Sequence, residues 1–225
     1  MRWIPILLTL LSTPALVNAV ESGSTVAWTY ETLQQVRKGN AENGNKLAGS
    51  CAGCHGVRGE GTNVEIRDDE SLPAIPAIAG QNPYYMYKQL RDYANDDRSH
   101  DSMSGIAKGL SEQDAADLAA WFSSLALPIQ KDEGKDFSAA QKMISTGDGK
   151  RILPPCSVCH GANGQGDKID IPSLAGQRAD YFEKTLLAYR DGQRHNDIYS
   201  RMRLIAKQLS VDEIKALSIY YQQLK

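Results

Sequence analysis

Two five-residue strings constrain this chain more than anything else in it: Cys51-Ala52-Gly53-Cys54-His55 and Cys156-Ser157-Val158-Cys159-His160. Between them they use all four cysteines of the 225 residues. Cys-x-x-Cys-His is the pattern by which a haem c is attached. The spacing has a physical reason. Sulfurs three positions apart sit about one helical turn apart, which suits the two vinyl groups of one porphyrin. The next residue then projects an imidazole onto the iron.

Other chemistries account for the strings less well. A thioredoxin-type pair needs no following histidine and expects a βαβ context, which is absent. A zinc site could use two Cys-x-x-Cys pairs, but 101 residues separate Cys54 from Cys156, far outside zinc-ribbon spacing. A disulfide across two intervening residues is strained. With four histidines in 225 residues, chance would place one after both pairs with odds of roughly one in three thousand. The strings imply two covalently bound haem c groups, one on Cys51 and Cys54 and one on Cys156 and Cys159. His55 and His160 each fill one axial position.

The two halves align beyond the motif. Pro76-Ala77-Ile78-Ala79-Gly80-Gln81 matches Pro172-Ser173-Leu174-Ala175-Gly176-Gln177, and Tyr85, Lys88, Leu90, Tyr93 and Arg98 match Tyr181, Lys184, Leu186, Tyr189 and Arg194. After a three-residue length difference, the stretch from Met103 to Ser111 matches that from Met202 to Ser210. This reads as a duplication: an N-terminal domain over 20–126, a linker over 127–137 and a C-terminal domain over 138–225. Each repeat reads as helices joined by loops. Helices are expected around Glu31 to Ser50 and Ser138 to Thr146, from the Asn82-Pro83 cap onward, and over Asp180 to Arg190. The last helix of each repeat opens on a capping box, Ser111-x-x-Asp114 and Ser210-x-x-Glu213. Leu118, Phe122 and Leu125, like Leu217, Tyr221 and Leu224, recur at helical spacing as core. No segment alternates convincingly as a strand. The expected fold is all-α.

Each iron needs a sixth ligand. Met86, Met103, Met143, Met202, His100 and His195 are the candidates, and only Met103 and Met202 hold equivalent places in both repeats. A thioether suits a c-type haem iron and raises its potential. Pro76 and Pro172 are placed to offer a carbonyl to the free ring N–H of each axial histidine. Gln81, Gln177, Arg98, Arg194, Tyr85 and Tyr181 are candidates to meet haem propionates.

The N-terminus reads as a signal peptide over 1–19. Arg2 supplies the positive region, Ile4 to Leu11 the apolar core and Val17-Asn18-Ala19 the cleavage site. The apolar run is short of the ~20 residues that span a bilayer, so an exported, periplasmic chain is expected. The formal net charge of -2 gives no reason to expect nucleic acid as a partner.

On the two Cys-x-x-Cys-His motifs, the two Pro-x-[Ile/Leu]-Ala-Gly-Gln segments and the run from Arg194 through Met202 to Leu224, the sequence resembles the cytochrome c4 family of periplasmic dihaem cytochromes. The resemblance covers nearly the whole mature chain. It implies two tandem class-I cytochrome c folds, His/Met ligation at both haems, delivery of electrons from respiratory donors to a terminal oxidase, and association with the outer face of the cytoplasmic membrane in some members. An electron carrier rather than an enzyme is expected, with redox proteins as partners and no small-molecule substrate. The alternatives are a haem subunit of a dehydrogenase complex, such as flavocytochrome c sulfide dehydrogenase, and a dihaem enzyme such as thiosulfate dehydrogenase. The repeats differ in one respect. His55 to Pro76 spans 21 positions and His160 to Pro172 spans 12, the excess forming an acidic loop around Arg67-Asp68-Asp69-Glu70. That loop is either a tolerated surface insertion or a docking element.

Overall fold

The structure, a computed structural model, describes residues 23–127, 137–167 and 169–224. The expected signal peptide and most of the linker lie outside the described residues.

In the first repeat the chain forms α1 (Tyr30–Arg37), α2 (Ala41–Leu47), a 3-10 turn (Ala48–Ser50) and the single-turn α3 (Ala52–His55). The one helix expected over Glu31 to Ser50 is thus broken at Lys38–Asn40. The cause is Asn40, whose side chain accepts from Asn43 N at 3.0 Å and starts a new helix. The break is locked from α6 (Glu112–Ser124), where the nearly buried Asp117 accepts from Asn40 N at 2.7 Å and Asn43 Nδ2 at 2.6 Å. α2 can lie this close because Gly44 has no side chain: a Cβ there would sit 2.0 Å from the Asp117 carbonyl oxygen. The core of the repeat is built on Val36, Met86, Tyr87, Leu118 and Phe122.

α4 (Pro83–Ala94) begins as the sequence predicts, with the Asn82 side chain accepting from Tyr84 N and Tyr85 N and proline in the first turn. α5 (Met103–Lys108) is short, and α6 opens on the expected Ser111/Asp114 capping box. The acidic insertion contains what the sequence did not suggest. β1 (Glu65–Arg67) and β2 (Glu70–Leu72) pair antiparallel around Asp68 and Asp69, both with positive φ (48° and 63°). Two left-handed residues in a row make the tight reversal that matches strand twist. Asp-Asp is a much weaker signal for it than Asn-Gly, and the strands carry just one apolar residue each, Ile66 and Leu72.

The second repeat runs α7 (Ser138–Thr146), α8 (Ser157–His160), α9 (Ala179–Arg190), α10 (Arg201–Ala206) and α11 (Val211–Gln223), with the Ser210/Glu213 capping box in place. It has its own core, with Met143, Ile144, Leu153, Phe182, Leu186, Leu217 and Tyr221 packed together. Two separate cores on equivalent residues make two domains.

The domains meet along a polar, nearly symmetric seam. Gln81 brackets Ser173, accepting from its N at 2.8 Å and donating to its O at 3.0 Å; Gln177 brackets Ala77 in the same way at 2.9 and 3.0 Å. Arg98 donates to the Tyr181 hydroxyl at 2.9 Å and Arg194 to the Tyr85 hydroxyl at 3.0 Å. One cluster breaks the symmetry. Asp92, fully buried, accepts from Lys88 Nζ and Asn196 Nδ2 at 2.5 Å each and from Ser24 Oγ at 2.6 Å, while Lys88 also reaches the Asn196 carbonyl at 2.7 Å.

Candidate functional site

Each Cys-x-x-Cys-His string folds as one helical turn that begins at its first cysteine. His55 N donates to Cys51 O, and His160 N to Cys156 O, both at 2.9 Å. The four thiols are free, so no disulfide competes for them. Burial pushes the Cys51 thiol up, and the Cys156 thiol up to about 11. A thiol-redox pair instead depresses its attacking thiol, and the first cysteine of each pair is shifted the other way.

The histidines are prepared as ligands. His55 Nδ1 lies 2.9 Å from Pro76 O, and His160 Nδ1 lies 3.0 Å from Pro172 O. A carbonyl only accepts, so Nδ1 carries the proton and Nε2 keeps its lone pair. Both rings are buried, and burial lowers both pKa values against the opposing pull of the proline carbonyl. Each ring is therefore held neutral, in one tautomer and one orientation, as metal ligation requires. The backbone of each histidine is anchored by a second shared device. Gly61 N donates to His55 O and Gly166 N to His160 O, both at 2.8 Å, from backbones with φ of 63° and 78°.

Met103 opens α5 and Met202 lies in the first turn of α10, both half-buried. The Met202 side chain packs against the core of its domain. The rivals have other work. Met86 and Met143 are buried in the two cores. His100 Nδ1 accepts from Ser102 N at 3.3 Å and Met103 N at 3.4 Å, so it caps the turn that presents Met103. His195 is exposed.

The six residues expected to meet propionates all lie in the seam, and all six are bonded across it: Gln81, Gln177, Tyr85, Tyr181 and both arginines have protein partners there. The electrostatics still call for anions. Arg98 bonds to neutral groups, Gln89 and Tyr181, and Arg194 to Gln89, Tyr85 and Asn196; among the described residues neither has a carboxylate partner. Arg194 Nη1 is buried with no partner. Burial pushes the Tyr181 phenol up, yet the two guanidiniums overcome it and bring it down to about 7. Two buried cations without counter-ions, one per domain, fit two propionate-bearing groups. The donor set fits as well: two thiols, a neutral imidazole and a thioether in each domain. The sequence did not single out Gln89 and Asn196, which bridge the seam, or the capping role of His100. Their partners lie in other segments or depend on a loop conformation, so no local pattern announces them.

The cytochrome c family profile matches residues 41–126 and 147–225. Cytochrome c4 of Pseudomonas aeruginosa is 33% identical over 188 residues, covering 83% of this chain and 89% of that protein. A protein of Stutzerimonas stutzeri described as a thiosulfate dehydrogenase electron acceptor is 33% identical over 180 residues, covering 79% of this chain and 80% of its own length. Among solved structures, reduced recombinant cytochrome c4 from Pseudomonas stutzeri superposes with a TM-score of 0.72 at 34% identity, covering 83% of this chain and all of that one.

Proposed function

From the premise that this chain belongs to the cytochrome c family, with cytochrome c4 proteins as relatives along most of its length, we propose that it is a periplasmic electron carrier between respiratory donors and a terminal oxidase. It is a dihaem protein of two tandem class-I cytochrome c domains. Cys51 and Cys54 would hold the first haem and Cys156 and Cys159 the second, with His55 and Met103, and His160 and Met202, as the residues that would ligate the two irons. When bound, each haem supplies a one-electron iron couple. The protein's part is to hold that couple and to shield it. His55 and His160 keep their Nε2 atoms aimed and unprotonated. Met103 and Met202 would each offer a thioether to the iron as well, and a site with two protein ligands would leave no position for a substrate, which favours a carrier over an enzyme. Arg98 and Arg194 supply positive charge at the seam against propionates.

The observation that carries this reading is the same histidine–carbonyl geometry in both halves, at 2.9 and 3.0 Å. The test is the optical spectrum of the purified exported protein, in wild type and in Met103→Ala and Met202→Ala. Iron–methionine bonding gives a weak band near ~695 nm in the oxidised protein. Each substitution should remove about half of it. A wild type that lacks the band, or that binds carbon monoxide readily when reduced, would move a dihaem enzyme to the front.

A second reading is favoured by the relatives described as electron acceptors of thiosulfate dehydrogenase: the donor is a sulfur-oxidising dehydrogenase rather than a respiratory complex. Rapid reduction by a purified dehydrogenase of that kind, with no reduction by a quinol-oxidising complex, would select it.

A further inference from the structure

The peptide group that orients each buried histidine is also held from the other domain. Pro172 O accepts from His160 Nδ1 at 3.0 Å, and the N–H of the same peptide group, on Ser173, donates to Gln81 Oε1 at 2.8 Å. Pro76 O accepts from His55 Nδ1 at 2.9 Å, and the N–H of its peptide group, on Ala77, donates to Gln177 Oε1 at 2.9 Å. Each imidazole is thus one peptide group away from a glutamine of the opposite domain. Among the described residues, neither glutamine side chain bonds to the proline peptide of its own domain.

The glutamines have no freedom to turn over. Each Oε1 accepts a second backbone N–H, Gln81 from Asn82 at 2.8 Å and Gln177 from Arg178 at 2.9 Å. Backbone N–H groups only donate, so the oxygen end of each amide is fixed. Nε2 is left to donate to Ser173 O or Ala77 O, both at 3.0 Å. Gln81, Ser173, Gln177 and Ala77 are all buried, where hydrogen bonds strengthen and polarise one another along a chain. The neighbouring residues extend the grip. Asn82 Nδ2 donates to Ile171 O at 3.0 Å, on the other side of Pro172. Arg178 Nε donates to Glu60 O at 2.7 Å, and the N–H of that peptide group, on Gly61, donates to His55 O at 2.8 Å.

The two ends of a peptide group are conjugated, so an acceptor on its N–H draws charge toward its carbonyl oxygen. A more negative carbonyl binds the imidazole N–H more tightly and makes Nε2 a more basic ligand. A more basic ligand favours ferric over ferrous iron, and hydrogen bonding of this kind is one of the levers on a haem potential.

We propose that Gln81 and Gln177 are positioning residues that tune the iron of the opposite domain, Gln81 through Pro172 and His160, and Gln177 through Pro76 and His55. This rests on the reading of the two histidines as axial ligands, and adds to it a hydrogen-bonded path by which each domain sets the potential of the other.

The test is the reduction potential of each haem in Gln81→Met and Gln177→Met, which keep the length of the side chain and remove its hydrogen bonds. Loss of the ~695 nm band on reduction reports the second haem alone on a Met103→Ala background and the first alone on a Met202→Ala background. Gln81→Met should shift the second haem toward the ferrous state by about threefold, ~28 mV for a one-electron couple, and leave the first unmoved. Gln177→Met should do the reverse. The sign separates tuning from loosening: a looser seam would admit water, which stabilises the more highly charged ferric state and lowers both potentials. The proposal fails if the potentials do not move, if they fall, or if each variant moves the haem of its own domain as much. A readout that needs no variant is scalar coupling across the hydrogen bonds of the isotope-labelled, reduced protein, between Ser173 N and Gln81 Cδ and between Ala77 N and Gln177 Cδ. Both couplings should be seen, and the absence of either overturns the proposal. A wild type with no ~695 nm band overturns the ligand reading and this inference together, whereas a normal band with unmoved potentials overturns this inference alone.

Discussion

Replacing Asp92 by alanine removes the carboxylate at the centre of the seam and leaves Lys88, 2% exposed, without its counter-charge. The size of the effect can be bounded. Burial already lowers the Lys88 pKa from its ordinary 10.5, and Asp92 is the main influence pulling it back up. Without Asp92 the ammonium has two options. It stays charged and uncompensated, for which broken buried pairs give about 3–5 kcal/mol. Or it sheds its proton, which at pH 7 costs at most 1.36 kcal/mol for each unit below 10.5, about 5 kcal/mol in all. The second option caps the first, so the loss from the charge is about 3–5 kcal/mol. The bonds from Ser24 and Asn196 add about 1 kcal/mol each where water does not replace the partner.

The sign of the pH dependence follows. With a folded pKa far below the unfolded one, the unfolded chain binds more protons between the two values, so stability rises with pH across that window. The deficit of Asp92→Ala against wild type should therefore shrink between pH 7 and pH 10. Lys88→Met/Asp92→Leu, which removes both charges, should recover most of the loss. The assay is urea unfolding of the haem-loaded protein, followed by far-UV circular dichroism. A deficit under 1 kcal/mol, one that does not change with pH, or a double variant as unstable as the single would refute the reasoning.

Three further outcomes are expected. Gly61→Ala would place a Cβ 2.4 Å from the Ile75 carbonyl oxygen at φ 63°, displacing the Pro76 carbonyl from His55; haem content and the ~695 nm band should both fall, and an unchanged spectrum would separate the carbonyl from ligand orientation. Burial raises the Asp117 pKa, but hydrogen bonds from Asn40, Asn43 and Gln113 outweigh it and lower it below 3.8, so the stabilisation is present above that value and lost as pH falls through the folded pKa. Asp117→Asn should cost about 1.5–3 kcal/mol at pH 7 and flatten the acid limb of the urea midpoint below pH 4; an unaltered acid limb would assign that limb to other groups. Tyr221 is buried with its hydroxyl unpartnered, and the first repeat has Phe122 in its place. Tyr221→Phe should leave thermal stability unchanged or raise it by about 1 kcal/mol, and a loss of that size would reveal a partner for the hydroxyl.

The features legible in the sequence share a cause. The haem-binding strings, the Asn82-Pro83 start of α4, the two capping boxes and the proline carbonyls each depend on residues within one turn or one loop, and the duplication showed all but the Asn82-Pro83 start twice. What stayed hidden was long-range or conformational. Lys88 and Asn196 are 108 positions apart and meet only because the domains do. The β1–β2 hairpin turns on two aspartates in left-handed backbone, a conformation that their chemistry permits but does not announce. The break between α1 and α2 starts at Asn40 but is locked by Asp117, far along the chain. The seam arginines were singled out for a carboxylate that the haem would bring, and the hold that Gln89 and Asn196 have on them is legible only once the fold exists.

The paired glutamines reach further than the fixing of two domains. Gln81 grips the residue after Pro172, and Gln177 grips the residue after Pro76, with the same four atoms at nearly the same distances. Such reciprocity, where residue i meets j and j meets i, is the mark of an isologous contact between identical subunits. One repeat carries both halves of that contact on a single face, so a lone ancestral domain already had what it needed to pair with its own copy. In that light the seam is one that two copies of a single repeat could also form, and the Lys88–Asp92–Asn196 cluster is the part that needs two unlike repeats.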